Sequence, residues 1–350
     1  MANWWTSREA VKLAGRINGS DQHSIIDRII EAESRRIEKE TGRWYIPRTE
    51  TRLYRWPALD DGRGTRVYLD ADLLAVTTLK TKAQDASPTT VAAADYFLEP
   101  VNELPYRRIE IDLSSSAAFE AGDTPQRSIS VLGRWAYSED TKTAGTVSSG
   151  LATDATVTSF VCSDGSLIDV GDTLLIGTEQ LFVSERVNAD STATNSAALA
   201  ADVTVVTVGV NTGTLIKAGE IIMIDSERML VTSISGNNLT VKRAWDGSVL
   251  ASHLITTAIH VFRTLTIVRG VNGTTAAVHA NAVAITKYAP PLDISQLNIA
   301  AALATYQQEQ AAWGREVGGG EGAVEFSGRG LGEMRKRVIE SYRRMRMGAV

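Results

Sequence analysis

Cysteine is nearly absent from this sequence of 350 residues, in which Cys162 is the only one. A single cysteine excludes an intrachain disulfide and a zinc site built from cysteines, and it suits a reducing cytoplasm. No apolar run approaches the roughly 20 residues of a membrane-spanning helix, and the first residues lack the layout of a secretory signal. We therefore expect a soluble protein that contacts no membrane, with stability that comes from packing or assembly.

An excess of basic residues is missing as well. Lys and Arg together number 36 against 41 Asp and Glu, so the formal net charge is −5 and the pI is near 5.6. A protein that holds nucleic acid by neutralising phosphates needs the opposite sign. Any contact with DNA is expected to be local or sliding. The 43% of hydrophobic residues is ordinary for a folded chain with two or three cores.

Two helices are predicted at the start of the chain. Thr6 and Glu9 have the spacing of a capping box for the first, and Gly42 stands where the second should end. The second helix places four isoleucines on one face: Ile26, Ile29, Ile30 and Ile37. Short apolar runs separated by turn residues then predict a small antiparallel β unit from about 49 to 137. The Ser-, Thr- and Gly-rich segment 138–156 is interpreted as a linker.

Helical patterns return at the end of the chain. A helix is predicted after Asp293. Residues 314–332 contain eight glycines, and such a stretch is expected to hold one conformation only where a neighbour orders it. The last helix has an apolar seam and a strongly basic remainder. Its basic side chains have three possible partners: DNA phosphates, solvent, or the acidic groups of a partner protein.

The middle of the chain contains a repeat with two different offsets. Residues 168–183 recur 48 positions later at 216–231, whereas 239–253 recur 26 positions later at 265–279. A complete unit, at about 203–262, would thus lie between the halves of its twin, at about 154–188 and 265–287. Insertion at an exposed turn costs little closure entropy. The glycines and short apolar strands favour small antiparallel barrels or sandwiches.

No residue set carries a recognisable catalytic pattern. His253 and His279 occupy the same position of the repeat, which argues for a structural role, although metal ligation with Glu227 or Glu179 remains a minor alternative. No nucleophile motif is present, and the glycine-rich stretches lack the Lys-Ser/Thr of a phosphate loop. We expect no catalytic residue, no cofactor site and no metal site.

The two ends of the chain resemble the head-to-tail connector (adaptor) proteins of tailed bacteriophages. The resemblance rests on 25–32 and 37–44 in the opening helices, on 73–79 and 95–100 in the β unit, and on 291–294 before the closing helices. It covers about 1–137 and 290–350. The block from about 145 to 287 departs from it, because a minimal adaptor lacks such modules.

The resemblance, together with the repeat, gives an expected architecture of class α+β. A helical adaptor domain with a small antiparallel β unit would comprise 1–144 and 288–350, with a C-terminal docking helix at 331–346. Inserted all-β modules, barrel-like or sandwich-like, would follow: an outer one at 145–202 and 263–287, and an inner one at 203–262.

The resemblance also implies a function. It implies a structural virion protein that forms a ring, commonly of twelve subunits, in the neck between capsid and tail, with a channel for DNA. Its partners would be the portal protein, a downstream stopper or nozzle protein and its own copies, assembled in the host cytoplasm. The expected portal-docking residues are Leu331, Met334, Arg335, Arg337, Val338, Tyr342 and Arg343.

A β-rich module that binds a receptor or glycan is the alternative function. Such a module needs exposed aromatic side chains, and the repeats offer few: Phe160, Phe182, Trp245, Phe262 and Tyr288. An enzymatic tail protein is less favoured still, because the carboxylates have no diagnostic spacing.

Overall fold

The structure is a computed structural model that describes residues 3–57, 64–310, 316–317, 324–325 and 329–344. The predicted class is confirmed, since the fold is α+β, with four helices among the described residues and large antiparallel sheets. No helix within the described residues is long and apolar enough to cross a bilayer. The helices are α1 (Arg8–Gly15), α2 (His23–Thr41), α3 (Leu292–Gln310) and α4 (Arg329–Tyr342).

The helix ends follow from local capping. Helix α1 starts after Ser7, whose hydroxyl accepts a hydrogen bond from the Ala10 N–H at 3.2 Å. The prediction of Thr6 as this cap was wrong by one residue. Helix α2 ends as predicted at Gly42, which has a φ of 67° and donates its N–H to the Glu38 carbonyl at 2.8 Å.

A six-stranded antiparallel sheet packs beside these helices. Its path is β1-β6-β2-β5-β4, and β3 pairs with β2. In β6 the alternate residues Ile129, Val131 and Trp135 are fully buried, as the period of a strand requires. The strands are β1 (Arg48–Tyr54), β2 (Arg66–Thr81), β3 (Thr89–Val91), β4 (Tyr96–Glu99), β5 (Tyr106–Ile111) and β6 (Ile129–Trp135).

The repeat region forms a ten-stranded antiparallel sheet that closes on itself. Its strands are β7 (Thr141–Ser149), β8 (Ser159–Cys162), β9 (Thr173–Ile176), β10 (Glu179–Thr194), β11 (Thr207–Gly209), β12 (Ile221–Ile224), β13 (Glu227–Ser235), β14 (Asn238–Lys242), β15 (Ala258–Val268) and β16 (Ala284–Tyr288). The pairings β10-β9-β16-β7-β8-β15 return to β10 and close a six-stranded ring, here called the outer barrel.

A second ring, the inner barrel, uses the other ends of the same two long strands. The pairings run from β10 through β15, β12, β13 and β14 to β11. A bridge between Asn195 and Val210, together with a 2.8 Å bond from Ser196 N–H to the Gly209 carbonyl, joins β11 back to the end of β10. Each pairing of the outer ring therefore has its counterpart in the inner ring.

Each barrel encloses its own core. The outer core draws on residues from Ala144 to Val183 and from Leu265 to Ile285, and the inner core on residues from Ala193 to Val261. The segment interpreted as a linker, 138–156, instead contains strand β7, whose Ala144 and Val147 are buried in the outer core. The side chains of this strand are mostly small, so the alternation of apolar and polar residues that marks a strand is hard to recognise in the sequence.

The helices and the six-stranded sheet, here called the hub, pack directly against both barrels. The rings of Trp4 in the hub and Phe182 in the outer barrel meet edge to face, with centroids 5.4 Å apart. Lys12 of α1 pairs with Asp246 in a turn of the inner barrel. The equivalent outer turn presents Asn272, whose amide donates to Asn3 at 3.0 Å. The two equivalent turns thus dock on one hub.

Most of the glycine-rich stretch 314–332 lies outside the described residues. Within it, β17 (Glu316–Val317) pairs with β18 (Val324–Glu325).

A glycine pair tests the docking of the inner turn. Gly247 and Gly236 both have positive φ, but a Cβ on Gly247 would lie 2.6 Å from the Cα of Gly19 in the hub, whereas one on Gly236 meets nothing within 4 Å. We expect Gly236→Ala to cost about 1–2 kcal/mol for its left-handed backbone. Gly247→Ala should cost about 1–3 kcal/mol more, from overpacking. Urea unfolding measures both, and equal losses would contradict the docking.

Candidate functional site

Two polar side chains of the outer barrel, those of Arg269 and His279, converge on the buried carboxylate of Glu179. Glu179 opens β10, Arg269 follows β15, and His279 lies before β16. Arg269 donates to Glu179 through Nε at 2.6 Å and Nη2 at 2.7 Å, and His279 Nε2 lies 2.7 Å from Oε2. The N–H groups of Gly270 and Ala277 complete the set at 3.1 and 3.0 Å. Glu179 is fully buried.

The inner barrel repeats this network atom for atom. Arg243 donates to Glu227 through Nε and Nη2, both at 2.7 Å, and His253 Nε2 lies 2.9 Å away. The N–H groups of Ala244 and Ala251 each donate at 3.0 Å. The repeat that sequence comparison found therefore encodes two copies of one five-donor carboxylate site.

Local backbone geometry aims these donors. The residue after each arginine takes the left-handed conformation, Gly270 at φ 60° and Ala244 at φ 49°. This conformation directs its N–H to the carboxylate that the arginine already holds. The arginine then reaches onward to a loop carbonyl, Ala251 at 2.6 Å in the inner barrel. Sequence reasoning singled out the glutamates and histidines but missed the arginines as partners, although they lie in the repeat.

These hydrogen bonds decide the charge of the carboxylates. Desolvation raises the pKa of Glu227, but the hydrogen bonds from Arg243, His253 and two backbone N–H groups outweigh it and bring the pKa to about 2. The pKa of Glu179 is lowered for the same reasons, against the same opposing desolvation. A carboxylate accepts about four hydrogen bonds, so five donors saturate it. Such a group stabilises the fold and is not poised as a general base.

Metal ligation by this network has no geometric support. Both oxygens of each glutamate face donors, and an arginine lies where a cation would have to bind. Across the described ranges, no group of three or more His, Cys, Asp or Glu side chains is placed to hold a metal ion.

One residue distinguishes the inner network from the outer. His253 Nδ1 lies 2.7 Å from Asp225 Oδ2, so the ring bridges two carboxylates. The outer counterpart of Asp225 is Gly177, which supplies no such group to His279. Both residues have positive φ, at 52° and 60°. The two barrels thus have the same backbone conformation at this position. Only the inner histidine has a carboxylate next to each of its ring nitrogens.

The predicted portal-docking residues lie on α4, apart from Arg343, which follows it directly, and they differ in their surroundings. The apolar ones, Leu331, Met334, Val338 and Tyr342, pack in a cluster with Trp5, Ile37 and Tyr45 of the hub. Arg335 pairs with Glu33 and Glu40. Arg337 and Arg343 are exposed, as is Lys336 beside them. The seam is therefore occupied by the chain itself, and docking on a portal stays a prediction.

The aromatic side chains of the repeats offer little open surface. Phe160, Phe182 and Tyr288 are buried. Trp245 and Phe262 are half-buried, and each has a cation over its ring. Lys242 Nζ lies 4.8 Å from the ring centroid of Trp245, and Arg228 Cζ lies 5.0 Å from that of Phe262. They do not present a free stacking platform for a sugar.

Exposed aliphatic residues mark one end of the inner barrel. They are Val203, Val249, Leu254 and Ile255, at 67%, 79%, 79% and 55% exposure, here called the inner tip. Arg243 holds the two loops that carry them, through the Ala200 carbonyl at 3.1 Å and the Ala251 carbonyl. The repeat places Ala155, Thr275, Ala280 and Asn281 at the equivalent outer positions. Large aliphatic side chains at these four positions are therefore specific to the inner barrel, while the outer barrel exposes Val278 at a neighbouring position.

The depressed pKa of Glu227 predicts a loss of stability in acid. Its contribution is complete above the ordinary pKa of 4.5 and is lost as the pH falls towards 2. Glu227→Gln should cost about 3–5 kcal/mol at pH 7, because Arg243 is left buried without its partner. It should also flatten the dependence of stability on pH between 4.5 and 2. The midpoint of urea unfolding, measured at several pH values across that range, tests this prediction, and Glu103→Gln at an exposed position is the control. If the midpoint of Glu227→Gln changed with pH as steeply as that of the wild type, the prediction would be wrong.

Comparisons with protein-family models, with curated proteins and with solved structures found no match to this chain.

Proposed function

We propose that this chain is a structural, non-enzymatic subunit of a tailed-phage neck, a head-to-tail adaptor that forms a ring between the portal and the downstream tail protein. The hub is the adaptor domain and the barrels are its decoration. The observation that best supports this is that internal donors saturate both buried glutamates. These two carboxylates therefore stabilise the fold and are not free to act in catalysis. The resemblance of the chain ends supplies the family.

The ring carries DNA through its channel without reading its sequence. The net charge of −5 supports this, since a chain with an excess of acidic groups repels phosphates and does not hold the duplex tightly. The proposed ring contains twelve copies, located in the virion neck and assembled in the host cytoplasm.

The exposed basic face of α4 is the proposed contact with the portal. Its apolar seam packs on the hub, so docking through the seam would require the helix to leave its own core. Lys336, Arg337 and Arg343 are exposed and remain available for acidic groups of a partner.

Charge reversal on this face tests the adaptor function. Arg337→Glu with Arg343→Glu should leave the fold intact, because both side chains are exposed, and should weaken joining to the portal ring by tenfold or more. Negative-stain imaging and mass measurement of the chain, alone and mixed with the portal ring, provide the assay. Lys142→Glu with Lys217→Glu, on exposed positions of the barrels, is the control of equal charge. A wild-type chain that stays monomeric beside the portal would refute the proposal.

A β-rich binding module is the second candidate, and the inner tip is the observation that favours it. Four exposed aliphatic side chains on two tied loops are a surface that gains free energy when covered. In this function the inner barrel grips a receptor in the host envelope.

Replacing residues of the inner tip by their counterparts in the outer barrel tests this candidate. Val249→Thr, Leu254→Ala and Ile255→Asn insert the residues of the twin, so stability should change by less than about 0.5 kcal/mol per site. Sedimentation with host cell envelopes should show a bound fraction at least about tenfold lower, because apolar area is lost from the contact. Val278→Ser, which gives the outer barrel the residue of the inner one, should bind as the wild type does. Equal sedimentation of the triple variant would exclude a gripping role for the tip.

A further inference from the structure

The imidazole ring of His23 lies between two cations at the place where the hub meets the inner barrel. His23 opens α2 and is half-buried. Its Nε2 lies 2.8 Å from Lys12 Nζ, and its Nδ1 lies 3.2 Å from Arg8 Nη1. Both cations belong to α1 and are buried. A ring that can itself become positive therefore has a positive group at hydrogen-bond distance from each of its nitrogens.

The ammonium group of Lys12 decides which ring nitrogen carries the hydrogen. An ammonium has three N–H donors and no acceptor. Lys12 Nζ donates to the Gly19 carbonyl at 2.8 Å and pairs with Asp246 in the turn Trp245–Gly247, here called the inner turn. The third donor goes to His23 Nε2. This nitrogen must accept, so the hydrogen of the neutral ring lies on Nδ1.

A second proton on the ring has to bind to Nε2. The new Nε2–H would face the donors of Lys12, and the imidazolium would lie beside two other cations. The pKa of His23 is accordingly lowered from its ordinary value of 6.5. Burial and the charges of Arg8 and Lys12 lower it, and they outweigh the attraction of Asp246 and Glu185. The site therefore favours the neutral ring.

The carboxylates around His23 are engaged with other donors. Glu185 of β10 accepts from Arg8 Nη1 at 3.1 Å, and Asp27 of α2 accepts from Arg8 Nε at 2.8 Å. Asp246 accepts from Arg228 Nη1 at 2.6 Å in addition to its pairing with Lys12. The charged groups around the ring, directly or through Arg8, come from α1, the loop before α2, α2, β10 and the inner turn: Arg8, Lys12, Asp21, Asp27, Glu185 and Asp246.

The equivalent turn of the outer barrel, Val271–Gly273, docks without charge and is here called the outer turn. Its Asn272 exchanges two hydrogen bonds with Asn3, both at 3.0 Å, and donates to Gln180 Oε1 at 2.7 Å. Side-chain amides do not titrate between pH 4 and 8. The two turns thus differ in the property on which pH acts.

We propose that protonation of His23 releases the inner turn from the hub, while the outer turn stays docked. Lys12 cannot donate to Nε2 once that nitrogen carries a hydrogen, and the same ammonium is the partner of Asp246. The ladder between β10 and β15 still joins the two barrels, so the turn is freed and the fold persists. This inference does not depend on the proposed function.

The direction of the pH dependence follows from the lowered pKa. In the unfolded chain the ring titrates near 6.5, whereas in the folded chain it titrates at lower pH. The stability that the neutral ring contributes is therefore complete above pH 6.5 and is lost as the pH falls through the lowered pKa. Docking of the inner turn is expected to weaken over that acidic range.

An NMR titration of the purified full-length chain tests this device. The ring Cε1–H signal of His23 reports its protonation. The cross-peak between the α-hydrogens of Gly247 and Gly19 reports docking, because a Cβ on Gly247 would lie 2.6 Å from the Gly19 Cα. We expect this cross-peak to weaken at least about fivefold as the turn opens locally, with the midpoint of the ring and below pH 6.5. The cross-peak between Gly273 and Thr49, which reports the outer turn, should persist.

Two histidine variants provide the matched comparison. His23→Gln keeps an acceptor for Lys12 but takes up no proton, so the cross-peak between Gly247 and Gly19 should no longer change over this range. His260→Gln alters another half-buried histidine, on β15 of the inner barrel, and should leave the midpoint as in the wild type.

Three results would overturn the proposal. A midpoint of the His23 ring at or above pH 6.5 would show that the two cations do not oppose its protonation. A cross-peak between Gly247 and Gly19 that persists through the titration of the ring would show that the turn stays docked. The same loss in His23→Gln would assign it to another group. If His23→Gln fails to fold, the agreement of the two midpoints in the wild-type chain decides.

Discussion

The antiparallel ladder between β10 and β15 is the constraint on which the two barrels depend. It runs from Phe182 opposite Val268 to Thr194 opposite Ala258, with three shifts of register on the way. One half of each strand lines the outer core and the other half the inner core. An insertion tethered by two flexible linkers would leave its module free to move. Here the backbone hydrogen bonds continue from one barrel into the other, so their relative position is set by strand geometry, and the bulges supply the bend.

The buried glutamate networks hold loops of the barrels that the ladder between β10 and β15 does not itself hold. Each carboxylate ties the start of one strand to the arginine after another and to a loop that sequence places far away, as with Glu179 and Ala277. Removing two charges from water is costly, and only a full set of donors offsets it. With the loop backbone held in this way, its outward side chains are free to differ. That freedom is visible in the inner tip, where the twin barrels share their backbone bonds but not their surface.

Two adjacent tryptophans, Trp4 and Trp5, belong to two different hydrophobic clusters. Trp4 lies in the cluster that joins the hub to the outer barrel, and Trp5 lies in the cluster that receives α4. The two side chains therefore contribute to different cores although their residues are neighbours in the chain. A single short segment near the start of the chain thus contacts both the outer barrel and helix α4.

The sequence by itself determined the elements that depend on neighbours along the chain. The helix end at Gly42 and the repeat could be predicted, because caps, turns and apolar periods are local signals. Three other features were decided by the tertiary structure. Strand β7 was missed because small residues hide its alternation. The arginine partners of Glu179 and Glu227 were missed because spacing in sequence does not reveal which buried charges meet. The apolar seam of α4 was recognised in the sequence as a face that is covered. An amphipathic pattern does not identify the residues that cover such a face. Only the tertiary structure shows that Trp5 and Tyr45 pack against it.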